Sequence, residues 1–538
     1  MKHLELLLLF VLPVLWATGA GHAAFGPFSV DLAGHLWMGW HAAQEPLTST
    51  TLLAAPEGVD LFPVLGGWLD VLAVGLLHRF GMELEPAYNA VMASYVLAAG
   101  LGGVVLARAA GVGRYAVLAG LLLQCDGFVL EHLGAGRPEQ VGIGFVALAL
   151  GAAGLLLRGR IHPVLCGIAG VPVLFVSWEL SLLTVASLAF LAPFARPLPW
   201  RPIGVAAATC ALLAGPWVAL FLASAGEVRA LDEGDFALET ARSASIGLLS
   251  WFGPGSVRPS WLALIALPFV LRGRLGLGVA AGLALTWLLA AGPGPGLFGP
   301  TEATWGPFAW LQKLPVLGWF HWPDRLLVVW SLAAAVAAAA LVERVPKLPI
   351  LAAVVVLAAA LFEQRERWPR GIFELQDHPG AAWLAEGEGV VLDLPIQPKP
   401  QHHLRYMILQ MEHGRPIVFN MVLDHLSDPR LRERVEVDPV LSWFRRLMDR
   451  DKPEAADFAP EDFAGLHAQG VRHIVLHRAG WPPDRWQLGS VALERALGEP
   501  ALRVGPEWTA WTLTASPQGL AIPGDDLDVG VGEGLTDP

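Results

Sequence analysis

The chain has 538 residues, of which 54% are hydrophobic and only 16% charged, with a formal net charge of −12. Soluble domains carry about 25% charged residues, so this chain lacks the polar surface to cover itself in water. The negative balance sits mainly in loops and tail, and no lysine-rich stretch points to a nucleic-acid partner.

From Met1 to about Phe362 long apolar runs alternate with short loops; from Glu363 onward charged residues become frequent. The expected architecture is an α-helical polytopic membrane domain over residues 1–363, a soluble α/β domain over 364–520, and a disordered acidic tail over 521–538. A span needs about 20 apolar residues. Segments near 4–23, 88–108, 115–131, 140–157, 161–177, 179–195, 203–223, 259–271, 275–291, 326–343 and 348–363 qualify, about eleven in all. The fifth and sixth are joined only by Val176-Ser177-Trp178-Glu179, a tight hairpin. The first also resembles a signal peptide: Lys2, an apolar core, then Gly21-His22-Ala23.

The stretch Leu61–Phe80 is long enough to cross, but Asp70 and His78 suit a helix lying at the interface. Charge decides between the two. Without that crossing, alternate short loops carry Lys2, Arg108, Arg114, Arg158, Arg160, Arg196, Arg201, Arg272, Arg274, Arg344 and Lys347, all on one side. The positive-inside rule puts that side, with the N-terminus, in the cytoplasm. Loops 24–87, 132–139, 224–258 and 292–325, with the tail, then lie outside a multi-pass inner (plasma) membrane protein. Tryptophans flanking the spans, among them Trp16, Trp37, Trp40 and Trp322, fit an interfacial belt.

Charges at a membrane boundary are expensive, and so are functional candidates. The first outer loop opens FSVDLAGHLWMGWHAAQEPL, and on a helix Asp31 and His35 would face the same way. A carboxylate there could act as general base toward an alcohol, oriented by the histidine; a solvated loop aspartate is the bland reading. The second outer loop, FVLEHLGAGRPEQVG, packs Glu131, His132, Arg137 and Glu139 into nine residues. At WFHWPDRLLVVW, His321, Asp324 and Arg325 stand where the chain re-enters the membrane. Arginine suits a lipid-linked phosphate because its planar fork donates paired hydrogen bonds to oxyanions, although anchoring the span would also explain it.

The order of these features resembles the GT-C superfamily of membrane glycosyltransferases, which use polyprenyl-phosphate-linked sugars. The likeness is carried by one span, a loop starting at Asp31 with DLAGHLW…EPL, the Phe62-Pro63 segment, and LLHRFGMELEPAYNAVMASYV leading into the next span. It implies Asp31 as catalytic base, with His35 beside it. It also implies acidic support from Glu131 or Glu139, and a donor phosphate held by Arg325, Arg137 and His321. The base must stay tethered, which favours an uncleaved first span. Asp31 is followed by Leu32, Ala33 and Gly34, with no DD, DE or DxD. Metal-dependent chemistry is therefore unsupported, though a divalent metal is not ruled out, and no other cofactor is evident.

In the tail, GVVLDLPI (389–396), RPIVFNMV (415–422), VRHIVLHR (471–478) and EWTAWTLTA (507–515) read as strands, with helices such as HHLRYMILQMEH and DPVLSWFRRLMD between them. His402, His403 and His413, with Asp393 and Glu412, raise a metal hypothesis, but no spacing matches a zinc pattern. Asp393 before Pro395 reads as turn chemistry.

The leading expectation is an inverting glycosyltransferase that takes a sugar from a polyprenyl-phosphate donor to a glycan, lipid or protein acceptor outside the membrane. Membrane lipids complete its set of partners. A non-catalytic assembly protein that binds a partner through its tail, or a transporter of lipid-linked glycans, are the alternatives. Convergence of Asp31, the acids at 131–139 and Arg325 would separate the first from the second.

Overall fold

The computed structural model describes residues 2–27, 29–61, 67–195, 198–229, 234–253, 256–314, 320–375, 377–396, 404–419, 429–448, 456–479, 481–506 and 508–514. The Phe62-Pro63 segment, His402, His403, residues 420–422 and the acidic terminus 521–538 lie outside them.

The chain begins with α1 (Lys2–Ala20) and the two-residue β1 (Ala24–Phe25). α2 (Val30–Gln44) is capped by Ser29, whose Oγ accepts from the Leu32 amide, and it puts Asp31 in its first turn, where the helix dipole favours an acid. A small ribbon of β2 (Ser49–Thr50) and β3 (Val59–Asp60) leads to α3 (Leu69–Arg79). At 11 residues α3 is about 16 Å long, half of what a crossing needs. It packs along α2 and against α4 (Leu84–Ala109).

The third sequence span is a broken helix, α5 (Ala116–Gln124) followed by α6 (Gly127–Gly134), with Asp126 capping the second half through the Phe128 amide. α7 (Pro138–Val141) runs almost directly into α8 (Ile143–Leu157). α9 (Pro163–Val176) and α10 (Trp178–Leu191) form the expected tight hairpin, with Ser177 ending one helix and capping the other. α11 (Trp200–Arg229), α12 (Gly234–Ser243), α13 (Trp261–Val270), α14 (Gly273–Ala290) and the short α15 (Pro307–Leu311) follow. A 3-10 turn, Pro323–Leu327, then opens α16 (Val328–Glu343), and α17 (Pro349–Glu363) closes the bundle.

Among the described residues, six helical stretches are long and apolar enough to cross a membrane: 84–109, 116–134, 138–157, 200–223, 273–290 and 323–343. Shorter apolar helices cover 7–20, 163–176, 178–194, 261–270 and 349–363.

Apolar side chains gain little by leaving lipid for one another, so close backbone packing of small residues must hold such a bundle. α4 and α8 show it. A Cβ on Gly102 would stand 2.2 Å from the Gly144 carbonyl, and one on Gly144 would stand 2.1 Å from the Ala99 amide nitrogen. Polar groups at the helix break act as ties. Gln124 donates to the carbonyls of Leu9 (2.8 Å) and Val96 (3.2 Å), and Asp126 accepts from the Ser331 hydroxyl at 2.7 Å. These mid-bundle polar residues therefore serve helix association.

The two ends of the bundle differ. At one end Glu343 accepts from the Gly113 and Arg114 amides, and Arg344 donates to the Phe269 carbonyl. The basic turns after α4 and α16 thus meet. The opposite end gathers the starts of α4 and α10, the α6–α7 turn, and the α2–α3 pair.

The tail docks on that second end. β4 (Gly371–Phe373) pairs antiparallel with β1. After it come α18 (Pro379–Glu386), β5 (Val390–Leu394), α19 (Leu404–His413), α20 (Pro429–Val437), α21 (Pro439–Met448), α22 (Ala464–Ala468), β6 (Val471–His477), α23 (Pro483–Leu497), β7 (Leu502–Val504) and β8 (Trp508–Thr512). The sheet runs in the order β5-β6-β8-β7; β5 and β6 are parallel and the other pairs antiparallel. All five residues of β5 are buried although it ends this order, paired with β6 on one side only. RPIVFNMV contributes one bridge, Ile417 to Val391, instead of a strand among the described residues.

Backbone bonds from Ile417 to Leu52 and Ala55 bind the tail to the first loop. The Trp37 indole donates to Gln410 at 2.9 Å, buried between α2 and α19. Arg434 adds bonds to the Ala55 carbonyl and Glu57.

The packing of α4 on α8 makes a quantitative demand. Gly144→Leu should lose about 3 kcal/mol of stability through overpacking, whereas Gly204→Ala, with nothing within 4 Å of its Cβ position, should be silent. Thermal unfolding in detergent micelles compares the two directly.

Candidate functional site

The site assembles where α2 meets the α6–α7 turn. Gly136 makes that turn at φ +72°, and a Cβ there would lie 2.7 Å from the Leu32 Cβ. A larger residue would push the turn off α2. The Ser29 hydroxyl, donating to the Ala135 carbonyl at 3.4 Å, fixes the same approach. The next residue, Arg137, donates from Nε to Asp31 at 2.7 Å.

One turn along α2, His35 sits between two carboxylates. Its Nδ1 lies 2.6 Å from Asp70 of α3 and its Nε2 lies 3.3 Å from Glu139 of α7. Burial alone would lower the pKa of His35, but Asp70 first, and then Glu139, raise it well above its ordinary value. The two acids favour the protonated ring, which joins α2 to α3 and α7. The histidine turns to Asp70 and Glu139, not to Asp31.

Beyond Glu139 the network continues. Gln140 donates to Glu179 at 3.2 Å, and Glu179, in the first turn of α10, accepts from Arg325 in the 3-10 turn. Arg325 also lies within electrostatic reach of Glu139 and Asp324, and packs over the Trp322 ring at 4.9 Å. The α9–α10 hairpin is locked against the first loop, because the Trp68 amide donates to the Phe175 carbonyl and Gly67 lies flush on Val176.

The two arginines differ in setting. Arg325 and Glu179 expose 12% and 5% of their side chains; Arg137 and Asp31 expose 35% and 38%. A buried pair costs about 3–5 kcal/mol to break by removing one partner. An exposed pair contributes about 0–1 kcal/mol. One guanidinium is fixed and the other exchangeable.

Of the residues singled out from the sequence, Asp31, His35, Glu139, Arg137 and Arg325 come together. His321 lies in the segment leading into the 3-10 turn, half-buried. Glu131 turns away and pairs with Arg367 at 3.2 Å, where the chain leaves α17. Asp70 and Glu179 belong to the network although the sequence reading gave neither a role in it. Their signal was there, one acid inside an apolar run and one inside a tight hairpin, but their partners are remote along the chain.

The overall shape can now be compared with solved structures. The arabinofuranosyltransferase AftD from Mycobacteria aligns at TM-score 0.61 and 17% identity, over 95% of this chain and 40% of that one. ArnT from Cupriavidus metallidurans aligns at TM-score 0.50 and 13% identity, over 96% of this chain and 99% of that one. This chain shares its fold with these two structures. It spans about two fifths of the length of AftD. No family model matches its sequence, and no curated protein does. Within this fold the polar network joins three loops at one end of the bundle.

A second polar cluster lies in the tail. Asp393, read from sequence as a turn residue, pairs instead with His477 at 2.8 Å across β5 and β6. His413 accepts from the Arg415 amide at 3.0 Å. Burial pushes the His413 pKa down to about 4, against the pull of Asp393 and with Arg415, His473 and His477 adding to the fall. Among the described residues no group of three or more His, Cys, Asp or Glu side chains is arranged to hold a metal ion.

His35 and His413 should leave opposite marks on stability. His35 has a raised folded pKa, so its contribution is full below about 6.5 and is lost as pH rises through the folded value. His413 has a lowered one, so the folded state weakens as pH falls from about 6.5 toward about 4. Melting temperatures across pH should show His35→Gln flattening the alkaline limb and His413→Asn flattening the acidic one. Parallel shifts of both limbs in either variant would contradict the assignment.

Proposed function

We propose that the protein is an inverting glycosyltransferase that moves a sugar from a polyprenyl-phosphate donor to a hydroxyl acceptor at the non-cytoplasmic face of the membrane. The observation that carries this reading is the junction of α2, the α6–α7 turn and the Pro323–Leu327 turn. There the partly exposed Asp31 pairs with Arg137, and the buried pair of Arg325 with Glu179 joins the same network through Gln140, on a GT-C-like fold. A residue set that only anchored helices would have no need to gather both charges from three separate loops.

In this reading eleven helices cross the membrane, the basic turns face the cytoplasm, and the tail shares the opposite compartment with the site. The meeting of the basic turns at the far end of the bundle supports that sidedness. Arg325 and Arg137, with His321 nearby, hold the donor phosphate in the outer leaflet. Asp31 takes the proton of the acceptor hydroxyl as its oxygen attacks the anomeric carbon. The bond from that carbon to the phosphate oxygen breaks, and polyprenyl monophosphate leaves with the electron pair. The leaving group is already an anion and needs no acid. His35 keeps α2, and so Asp31, in register with Glu139. Asp70 and Glu139 hold the imidazolium, and Glu179 holds Arg325. The tail caps the site through Gln410 and Trp37.

A transporter would call for polar residues available at mid-membrane; Gln124 and Asp126, which lie there, make helix–helix hydrogen bonds.

Membranes containing the protein and supplied with polyprenyl-phosphate sugars should transfer sugar to endogenous acceptors. Asp31→Asn should lower turnover by about 10²–10⁴-fold, the span of a general base, with normal insertion. Arg325→Gln should raise the donor KM. An Asp31→Asn variant as active as the parent would remove the assignment.

A further inference from the structure

The proposed base and one of the proposed phosphate ligands are bonded to each other. Arg137 spends its Nε on Asp31 at 2.7 Å, and among the described residues its two terminal nitrogens make no hydrogen bond. The guanidinium covers Oδ2 of the carboxylate, so an acceptor hydroxyl would meet that oxygen already engaged. As it stands, the pair is a closed arrangement of the site.

We infer that Arg137 is a donor-responsive positioning residue, which holds Asp31 until a lipid-linked phosphate draws its guanidinium away and frees the carboxylate for the acceptor. This rests on the glycosyltransferase reading for the second half of the cycle, but the exchange of anions on Arg137 stands on the geometry alone.

Three observations support the exchange. The pair is about one-third exposed on both sides, so a competing anion can reach it, whereas Arg325 is buried on Glu179 and remains in place. The backbone carrying Arg137 is fixed by Gly136 against Leu32 and by the Arg137 amide donating to the His132 carbonyl at 2.9 Å. Only the side chain is left to move. Finally, phosphate offers the guanidinium a paired, charge-assisted contact in place of the single bond from Nε to Asp31.

The exchange orders the reaction. Donor binding precedes deprotonation, and in the absence of donor an acceptor hydroxyl meets a blocked base.

The test is the binding of a sugar-free polyprenyl monophosphate to the full-length protein in nanodiscs, with the uncharged polyprenyl alcohol as control. Asp31→Asn removes the charge that holds Arg137, so it should bind the monophosphate about three- to fivefold tighter than the parent, the equilibrium equivalent of the exposed ion pair no longer broken. Arg137→Gln should bind it more weakly, and Arg137→Lys should recover part of the affinity. All four proteins should bind the alcohol equally, which controls for folding. Equal or weaker monophosphate binding by Asp31→Asn would overturn the exchange, whatever the turnover.

Kinetics add a readout that a merely structural salt bridge would not give. Arg137→Gln should raise the donor KM while keeping kcat within about twofold of the parent. A matching fall in kcat would count against the inference. The glycosyltransferase reading fails separately, if the parent binds the monophosphate as described yet transfers no sugar.

Discussion

The imidazolium of His35, held between Asp70 and Glu139, is the interaction on which the rest of this end of the molecule depends. Two buried carboxylates from different segments repel one another and each would be costly in a low-dielectric setting. A single positive ring between them turns that repulsion into a joint. Through it α2 and α3 are attached to the helix that begins at α7. Asp31, one turn before His35 on the same helix, inherits its position from that joint.

The same logic extends outward in steps. Glu179 fixes Arg325, Gln140 joins Glu179 to the segment bearing Glu139, and the α9–α10 hairpin is sewn to the first loop at Trp68. Each contact uses a loop that hydropathy alone treats as a connector. Close glycine packing between α4 and α8 supplies the rigid floor beneath them. The tail then covers the assembly by backbone pairing to the first loop and by one buried hydrogen bond from Trp37. Its sheet is thereby continuous with the core of the bundle. Energy in this arrangement flows from backbone packing in the apolar part to charge pairing at the polar end, and the partly exposed Asp31–Arg137 pair is its loosest element.

Much of this could be read from the residues themselves. Long apolar runs separated by arginine-bearing turns announce helices and a division into two solvents, because lipid permits few other solutions. The candidates Asp31, His35, Arg137, Glu139 and Arg325 were visible as charges at the ends of such runs. The failures share a cause. Asp70 was read as an interfacial residue and Glu179 as part of a hairpin, since each finds its partner only through tertiary packing; Arg325 is 146 residues from Glu179. Glu131 looked equivalent to Glu139, yet a helix that ends at Gly134 sends it to the other side, where Arg367 takes it. In the tail, β7 has three residues, too few to show an alternation. Asp393 passed for a turn residue because the histidine it meets lies on another strand.

The most direct measurement is a structure of the full-length protein in nanodiscs with a polyprenyl monophosphate bound. The account predicts phosphate oxygens at about 3 Å, ordinary hydrogen-bond distance, from the guanidinium groups of both Arg325 and Arg137, with the contact between Asp31 and Arg137 broken. A phosphate lodged instead among the basic turns at the far end of the bundle, with that contact intact, would contradict it.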